Sequence, residues 1–194
     1  MSVTEHPVIT TARLILRPWR AEDAAALHLL AGRREIADTM ISIPHPFTQE
    51  YAEKWVASHD EAFARGEALH FAITLAGTGS LVGAVELRAI DAEHSQVEMS
   101  FWIGVEWWGH RYAPEAAKAV IAYAFQELKL NRLYAHHMVR NPASGRVLEK
   151  IGMKQEGLLR QRVRKWGVFE DVVLMAILRD DWRKLEQLPG ESPV

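Results

Sequence analysis

Cysteine is absent from this sequence. That one gap excludes disulfides, thiolate metal sites, iron–sulfur clusters and a cysteine nucleophile. No segment approaches the roughly 18–20 consecutive apolar residues of a membrane-crossing helix, and residues 1–11 lack the charged-then-apolar layout of a secretory leader. The expectation is a cytoplasmic protein with no membrane partner. No charge dominates either: 23 Lys and Arg stand against 25 Asp and Glu, a formal net charge of −2. Nucleic-acid binding, which wants a strong positive excess, is therefore not expected. Repeats and low-complexity linkers are also missing. What is present is 194 residues, 48% of them hydrophobic, enough for a full core. The reading is a single domain over 1–194 with an ordered core at 11–182. Its flanks, 1–11 and 188–194, read as loose ends, the second because Pro189, Gly190 and Pro193 cannot continue a helix.

Apolar spacing sets the order of elements. Residues 13–18 read as a strand ended by Pro18, and 22–31, rich in alanine and leucine, as a helix. Thr48 is placed to cap a helix over 49–65, with Ala52, Trp55, Val56, His59, Ala62 and Phe63 on one face and Gly66 as its stop. Strands follow at 69–75 and 81–90. The glycines between them fit a hairpin turn, since a phosphate loop would open onto a helix. A third apolar strand, 97–105, leads through a polar-aromatic loop to a helix over 114–128 that Pro114 opens. A strand at 133–139 and a helix from Asn141-Pro142 to 151, stopped by Gly152, come next. A closing hairpin, 153–166 and 169–178, turns at Gly167. The strand–helix–strand unit over 97–139 implies a parallel crossover, so the fold class is mixed α/β.

Two strand-to-helix junctions can hold chemistry. In Trp107-Trp108-Gly109-His110-Arg111-Tyr112-Ala113-Pro114 a compact loop opens onto a helix start. Its unpaired N–H groups and the helix dipole suit an anion such as a pyrophosphate, with charge added by Arg111 and His110. The structural alternative is an ordinary connecting loop. At Asn141-Pro142-Ala143-Ser144 the bland reading is an N-cap. The two junctions follow neighbouring parallel strands, however, so both helix starts can face one crevice at the strands' carboxyl ends.

The run Trp108-Gly109-His110-Arg111-Tyr112-Ala113-Pro114-Glu115-Ala116 is followed by Asn141-Pro142-Ala143-Ser144-Gly145-Arg146-Val147-Leu148-Glu149-Lys150-Ile151-Gly152-Met153 and then by Glu156-Gly157. These motifs resemble the GNAT N-acetyltransferase superfamily, in the branch typified by the RimJ and RimL ribosomal-protein acetyltransferases. The opening Thr11-Ala12-Arg13-Leu14-Ile15-Leu16-Arg17-Pro18 and the late Gly167-Val168-Phe169-Glu170-Asp171 resemble that branch too. The resemblance implies a central twisted mixed sheet of six to seven strands, splayed between the fourth and fifth, with about four flanking helices. It implies an acetyl-CoA cosubstrate, no metal, and acetyl transfer to a primary amine on a small molecule or a protein N-terminus. A bulge is implied in the strand at 97–105. Pantetheine would pair with main-chain groups near Ile103 and Val105, pyrophosphate would sit on the amides of Trp108, Gly109, His110, Arg111, Tyr112 and Ala113, and Asn141 would bond the pantetheine. One departure stands out: Arg111 replaces a family glycine, at a cost of about 1–2 kcal/mol if the position requires φ > 0.

Attack by an alkylammonium, whose pKa is about 10.4, first requires loss of a proton; the departing thiolate, near about 8.5, wants a hydrogen-bond donor. The candidate base is Glu98, against a solvent-facing strand carboxylate or a water relay. The candidate donor is Ser144, because the position one turn later, where relatives carry tyrosine, is Leu148. Tyr112 and Tyr134 are remoter options, and the Ile103 N–H is the oxyanion donor. Asp171 reads as a structural hydrogen-bonding group. No acyl-enzyme is expected.

Nine histidines do not make a metal site, since His136 and His137 are adjacent on a strand and point to opposite faces. Arg160, Arg162 and Arg164 read as a solvated strand face, with RNA contact as the alternative. The segment 40–47, with two prolines, reads as a wall of the amine pocket or as a packed loop. A non-catalytic CoA- or ligand-binding module on the same fold is the competing function, and a homodimer stays open.

Overall fold

The computed structural model describes residues 5–187. Its first element is β1 (Ile9–Thr10), antiparallel to β2 (Leu14–Pro18), so the chain is tied to the sheet earlier than the sequence suggested. The tail 188–194 lies outside the described residues. Two helices follow, α1 (Asp23–Ala31) and α2 (Arg34–Thr39), the second unforeseen. Thr48 Oγ1 accepts from Tyr51 N at 3.1 Å, the expected cap, but the helix expected over 49–65 is two: α3 (Gln49–Ala57) and α4 (His59–Ala64). They break at Ser58, whose hydroxyl donates to the Trp55 carbonyl at 2.7 Å; such local bonds compete with the helical path.

A hairpin of β3 (Ala68–Leu75) and β4 (Leu81–Asp91) leads into β5 (Gln96–Ile103), antiparallel to β4. Then come α5 (Tyr112–Gln126), β6 (Arg132–Met138) and α6 (Pro142–Lys150). The chain closes with β7 (Lys154–Lys165), β8 (Val168–Leu178) and α7 (Arg179–Glu186). All eight strands form one sheet in the order β1-β2-β3-β4-β5-β6-β8-β7, with seven α-helices among the described residues. The mixed α/β class is as expected, with one strand beyond the upper count and three helices more.

Apolar side chains on the two sheet faces explain where the helices lie. Phe71, Leu87, Met99 and Leu133 pack with Val120, Ile121 and Phe125 of α5 on one side. On the other, Trp102 and Ala84 pack with Leu27 of α1, Ile36 of α2 and Ala52 of α3. Each such large side chain contributes roughly 1.5–3 kcal/mol on burial.

One departure from regular pairing positions the site. The strands β5 and β6 run parallel, yet pair only from Gln96↔Arg132 to Glu98↔Tyr134. Beyond Glu98 they separate. Register between β4 and β5 is unbroken from Glu98 to Ile103, and Gly104 N donates to the Val82 carbonyl at 2.8 Å. Bonding alternates along an antiparallel ladder, so Trp102 and Ser100 turn their main-chain groups to β4. Those of Met99, Phe101 and Ile103 face the gap. The bulge expected in β5 lies instead on β4: the extra residue falls between Arg88 and Asp91, where Ala89 has φ +50°.

Candidate active site

The loop after β5 is a site built largely from backbone. A single 3-10 turn (Val105–Trp107) precedes it, and Arg111 at the N-cap of α5 has φ +63°. That position therefore does adopt the left-handed conformation that arginine disfavours. The N–H groups of Gly109, His110, Arg111, Tyr112 and Ala113 make no backbone hydrogen bond among the described residues, and Pro114 has no N–H to offer. Buried Glu115 fixes this turn to the connection between β1 and β2, accepting from Thr11 Oγ1 at 2.6 Å and Arg13 Nε at 2.8 Å. Arg13 also donates to the His110 carbonyl at 3.0 Å and lies over the Tyr112 ring. The connection between β1 and β2 thus holds the start of α5 in place.

The second junction faces the first. Asn141 Oδ1 accepts from Ser144 N at 3.2 Å, and its Nδ2 donates to the Thr39 carbonyl at 3.4 Å. A Cβ on Gly145 would lie 3.0 Å from the His137 ring, so glycine lets α6 approach β6 closely. Between the junctions lies a groove of about 430 Å³. Ile103, Trp108, Gly109, Arg111, Tyr112 and Ala113 line one part of it, and Asn141 and Ser144 another. Arg146 and Lys150, one turn apart on α6, add positive charge that the sequence reading did not single out. Their i,i+4 spacing after Asn141 was the available signal.

Two of the expected cofactor residues turn their side chains away from the groove. Val105 packs against the cluster containing Trp19 and Leu27, because the strand ends at Ile103 and the chain turns. The exposed His110 ring stacks on Tyr112 and keeps Nδ1 beside the carbonyls of Trp107 and Trp108, bracing the turn rather than lining the groove. Ile103 presents its carbonyl to Trp108 Nε1 at 2.7 Å, leaving its gap-facing N–H as the expected donor.

A narrow cleft of about 30 Å³ continues from the groove and brings Ser144 together with Glu98, His136 and Leu148. The Ser144 hydroxyl makes no hydrogen bond among the described residues, its local bond being made by its N–H. Glu98 differs from the free carboxylate expected. Its Oε1 lies 2.9 Å from both Arg88 Nη2 and His136 Nδ1. Burial alone would raise the carboxyl's pKa; the hydrogen bonds from His136 and Arg88 outweigh it and hold the pKa at about 2. A carboxylate so stabilised is a poor proton acceptor. The pairing with His136 was hidden in the sequence because it depends on the β5–β6 register. Tyr134 lies in that register opposite Glu98, and Asp171 has the structural role expected, accepting from Gln161 N at 2.7 Å.

On the far side of the cleft is a pocket of about 220 Å³. Met40, Ile43, Pro44 and Phe47 form one wall of it, and Trp19, Tyr51 and Trp55 another. Lys165 Nζ straps this segment, donating to the carbonyls of Met40 at 2.9 Å and Ile43 at 2.6 Å. Met40 and Phe101 line groove, cleft and pocket alike, so the three adjoin one another. A line of charged and polar groups crosses the sheet from pocket to cleft. His70 Nδ1 is 3.0 Å from Glu86 Oε2, Arg88 Nη1 is 3.5 Å from Glu86 Oε1, and Arg88 then meets Glu98. The His70 contact is close in distance but lacks hydrogen-bond geometry.

Residues 13–154 match the acetyltransferase (GNAT) domain profile. The chain belongs to the GNAT acetyltransferase family. Probable N-acetyltransferase YjcK of Bacillus subtilis (strain 168) is 34% identical over 172 residues, covering 87% of this chain and 95% of its own. Among solved structures, the GNAT-family acetyltransferase from Bacillus anthracis has a TM-score of 0.80 at 28% identity, covering 90% of this chain and 99% of its own. Spermidine N-acetyltransferase from Vibrio cholerae in complex with CoA and spermine has a TM-score of 0.78 at 25% identity, covering 89% and 99%. The GNAT fold and acetyl-transfer chemistry are thus shared with the family that the motifs resemble.

Proposed function

We propose that this GNAT protein transfers the acetyl group of acetyl-CoA directly to a primary amine, with the reacting atoms in the cleft between groove and pocket. The observation that carries the reading is the adjacency of the three spaces, with Ser144 and the Glu98–His136 pair both on the middle one. The free amides of residues 109–113, with Arg111, Arg146 and Lys150, receive the pyrophosphate. Main-chain groups of Phe101 and Ile103 on the open edge of β5 pair with the pantetheine amides, as an added strand would.

In the cleft, His136 takes the ammonium proton. Glu98 accepts from its Nδ1–H, which leaves the lone pair on Nε2 and makes Glu98 a positioning residue. The amine nitrogen forms its bond to the acetyl carbon as the C–S bond breaks. Ser144 donates a hydrogen bond to the departing sulfur, and the second nitrogen proton, lost as the amide forms, completes the thiol. The Ile103 N–H is oriented toward the gap, where the carbonyl oxygen gains charge.

The test is thiol release from acetyl-CoA in the presence of primary amines, alongside a calorimetric titration with acetyl-CoA alone. Amine-dependent release with saturable acetyl-CoA binding is expected. Binding without release for any amine is the outcome that contradicts the reading and favours a non-catalytic module.

A further inference from the structure

Among the described residues lining the aromatic pocket there is one carboxylate, Glu86, and one guanidinium, Arg88. The shorter contact of Arg88 goes to Glu98, at 2.9 Å against 3.5 Å to Glu86. The Glu86 side chain retains 17% exposure, so its anionic oxygens are reachable from the pocket. Aromatic and aliphatic side chains stand around them, interspersed with Ser42, His70 and Ser100. Trp19 and Trp55 meet edge to face at 5.2 Å, Phe47 and Tyr51 at 5.0 Å, and Trp102 lies on the sheet side.

Resting on the acetyl-transfer reading, we infer that the acceptor is a compact monoamine with an aromatic or alkyl body, its ammonium received at Glu86 and its body packed among Trp19, Phe47, Tyr51 and Trp55. Charge decides against a polyamine. A second ammonium in this pocket would add a like charge near Arg88 with no second carboxylate to offset it, which is disfavoured. Size decides against a peptide N-terminus. The space of about 220 Å³ is below the usual range of about 300–1,000 Å³ for ligand pockets. An amine body needs only apolar contact, and a cation beside aromatic faces is favoured.

The placement also suits transfer. Glu86 faces Ser100 across the β4–β5 ladder, and Arg88 faces Glu98. Ser100 and Arg88 line both pocket and cleft. The two rungs are two residues apart, about 7 Å along the strand. An amine received at Glu86 therefore lies about two residues along β4 from the rung that borders the cleft. There the overall balance is ammonium plus thioester giving N-acetyl amide, free thiol and one proton, which leaves through His136 to solvent.

The experiment compares 2-phenylethylamine, hexylamine, spermidine and an alanine-starting hexapeptide as acceptors in thiol release. In parallel, binding of each to the CoA-saturated protein is followed by tryptophan fluorescence. The two monoamines are expected to exceed the others by about tenfold or more in kcat/KM, a difference of about 1.4 kcal/mol. Glu86→Gln and, independently, Trp55→Leu should each raise the monoamine KM by about tenfold while leaving the CoA affinity unchanged. Preference for spermidine or the peptide, or an unchanged KM in both variants, overturns the acceptor assignment and leaves acetyl transfer standing. If no amine is acetylated but monoamines bind and both variants weaken them, the pocket assignment holds and the acetyl-transfer reading falls. If no monoamine binds, the pocket assignment falls.

Discussion

A histidine whose Nδ1 is held by a carboxylate takes up a proton only at Nε2, and this gives His136 a kinetic signature distinct from that of Glu98. His136→Gln should lower kcat by roughly 10²–10⁴-fold and abolish the ascending limb of the pH–rate profile. Glu98→Gln should lower kcat less and keep the limb, because it removes the partner that orients His136 and not the proton acceptor. A limb that survives in His136→Gln and disappears in Glu98→Gln would restore Glu98 as the base. Ser144 gives the complementary prediction. Its hydroxyl has no partner among the described residues and lines the cleft, so Ser144→Ala should reduce kcat while the calorimetric Kd for CoA stays within about twofold. Equal turnover retires it as donor to sulfur.

At the scale of elements, the turn opening α5 combines a backbone cost with an electrostatic gain. Arg111 at φ +63° carries a strain of about 1–2 kcal/mol that glycine does not. Arg111→Gly should therefore raise stability by about 1 kcal/mol in urea unfolding, yet weaken CoA binding, and the difference should shrink as salt rises. A variant with unchanged CoA affinity at low salt would show that the guanidinium points away from the phosphates. How much of these elements could be read from sequence follows from what fixes them. Asn141 before Pro142, the apolar stripe of α5 and the Gly167 hairpin are local signals, and each appears where expected. The helix break at Ser58 is also local, but it rests on one hydroxyl bonding Trp55, which spacing does not reveal. Glu98 meeting His136 and Arg88, Val105 turning from the groove, and Lys165 reaching the Met40 carbonyl depend on register or on distant strands. Pattern reading has no access to those contacts.

Across the whole molecule, acid lability should trace partly to a buried ring far from the cleft's chemistry. His59 stacks on His70 at 3.9 Å, packs against Trp55, and has neither ring nitrogen hydrogen-bonded. Desolvation first, then the neighbouring His70 and His6, lowers its pKa from 6.5 to about 3. The unfolded chain thus binds a proton at a pH where the folded one does not, and stability must fall as pH drops from about 6.5 toward about 3. Glu98 adds a loss of the same sign at lower pH, between 4.5 and about 2. Urea midpoints at pH 7.5 and pH 5 should differ for the natural protein and differ less for His59→Phe, which keeps the ring stack but cannot bind a proton. Equal slopes would remove His59 from the account.

The splayed gap between β5 and β6, with an anion-binding turn at one end and Ser144 beside His136 in its middle, is the claim on which every role here depends. A crystal structure of the CoA complex tests it most directly. The account predicts pyrophosphate on the amides of residues 109–113, pantetheine along Phe101 and Ile103, and the sulfur within hydrogen-bonding distance of Ser144 Oγ. CoA bound outside the gap, or its sulfur directed away from the Ser144–His136 cleft, would contradict it.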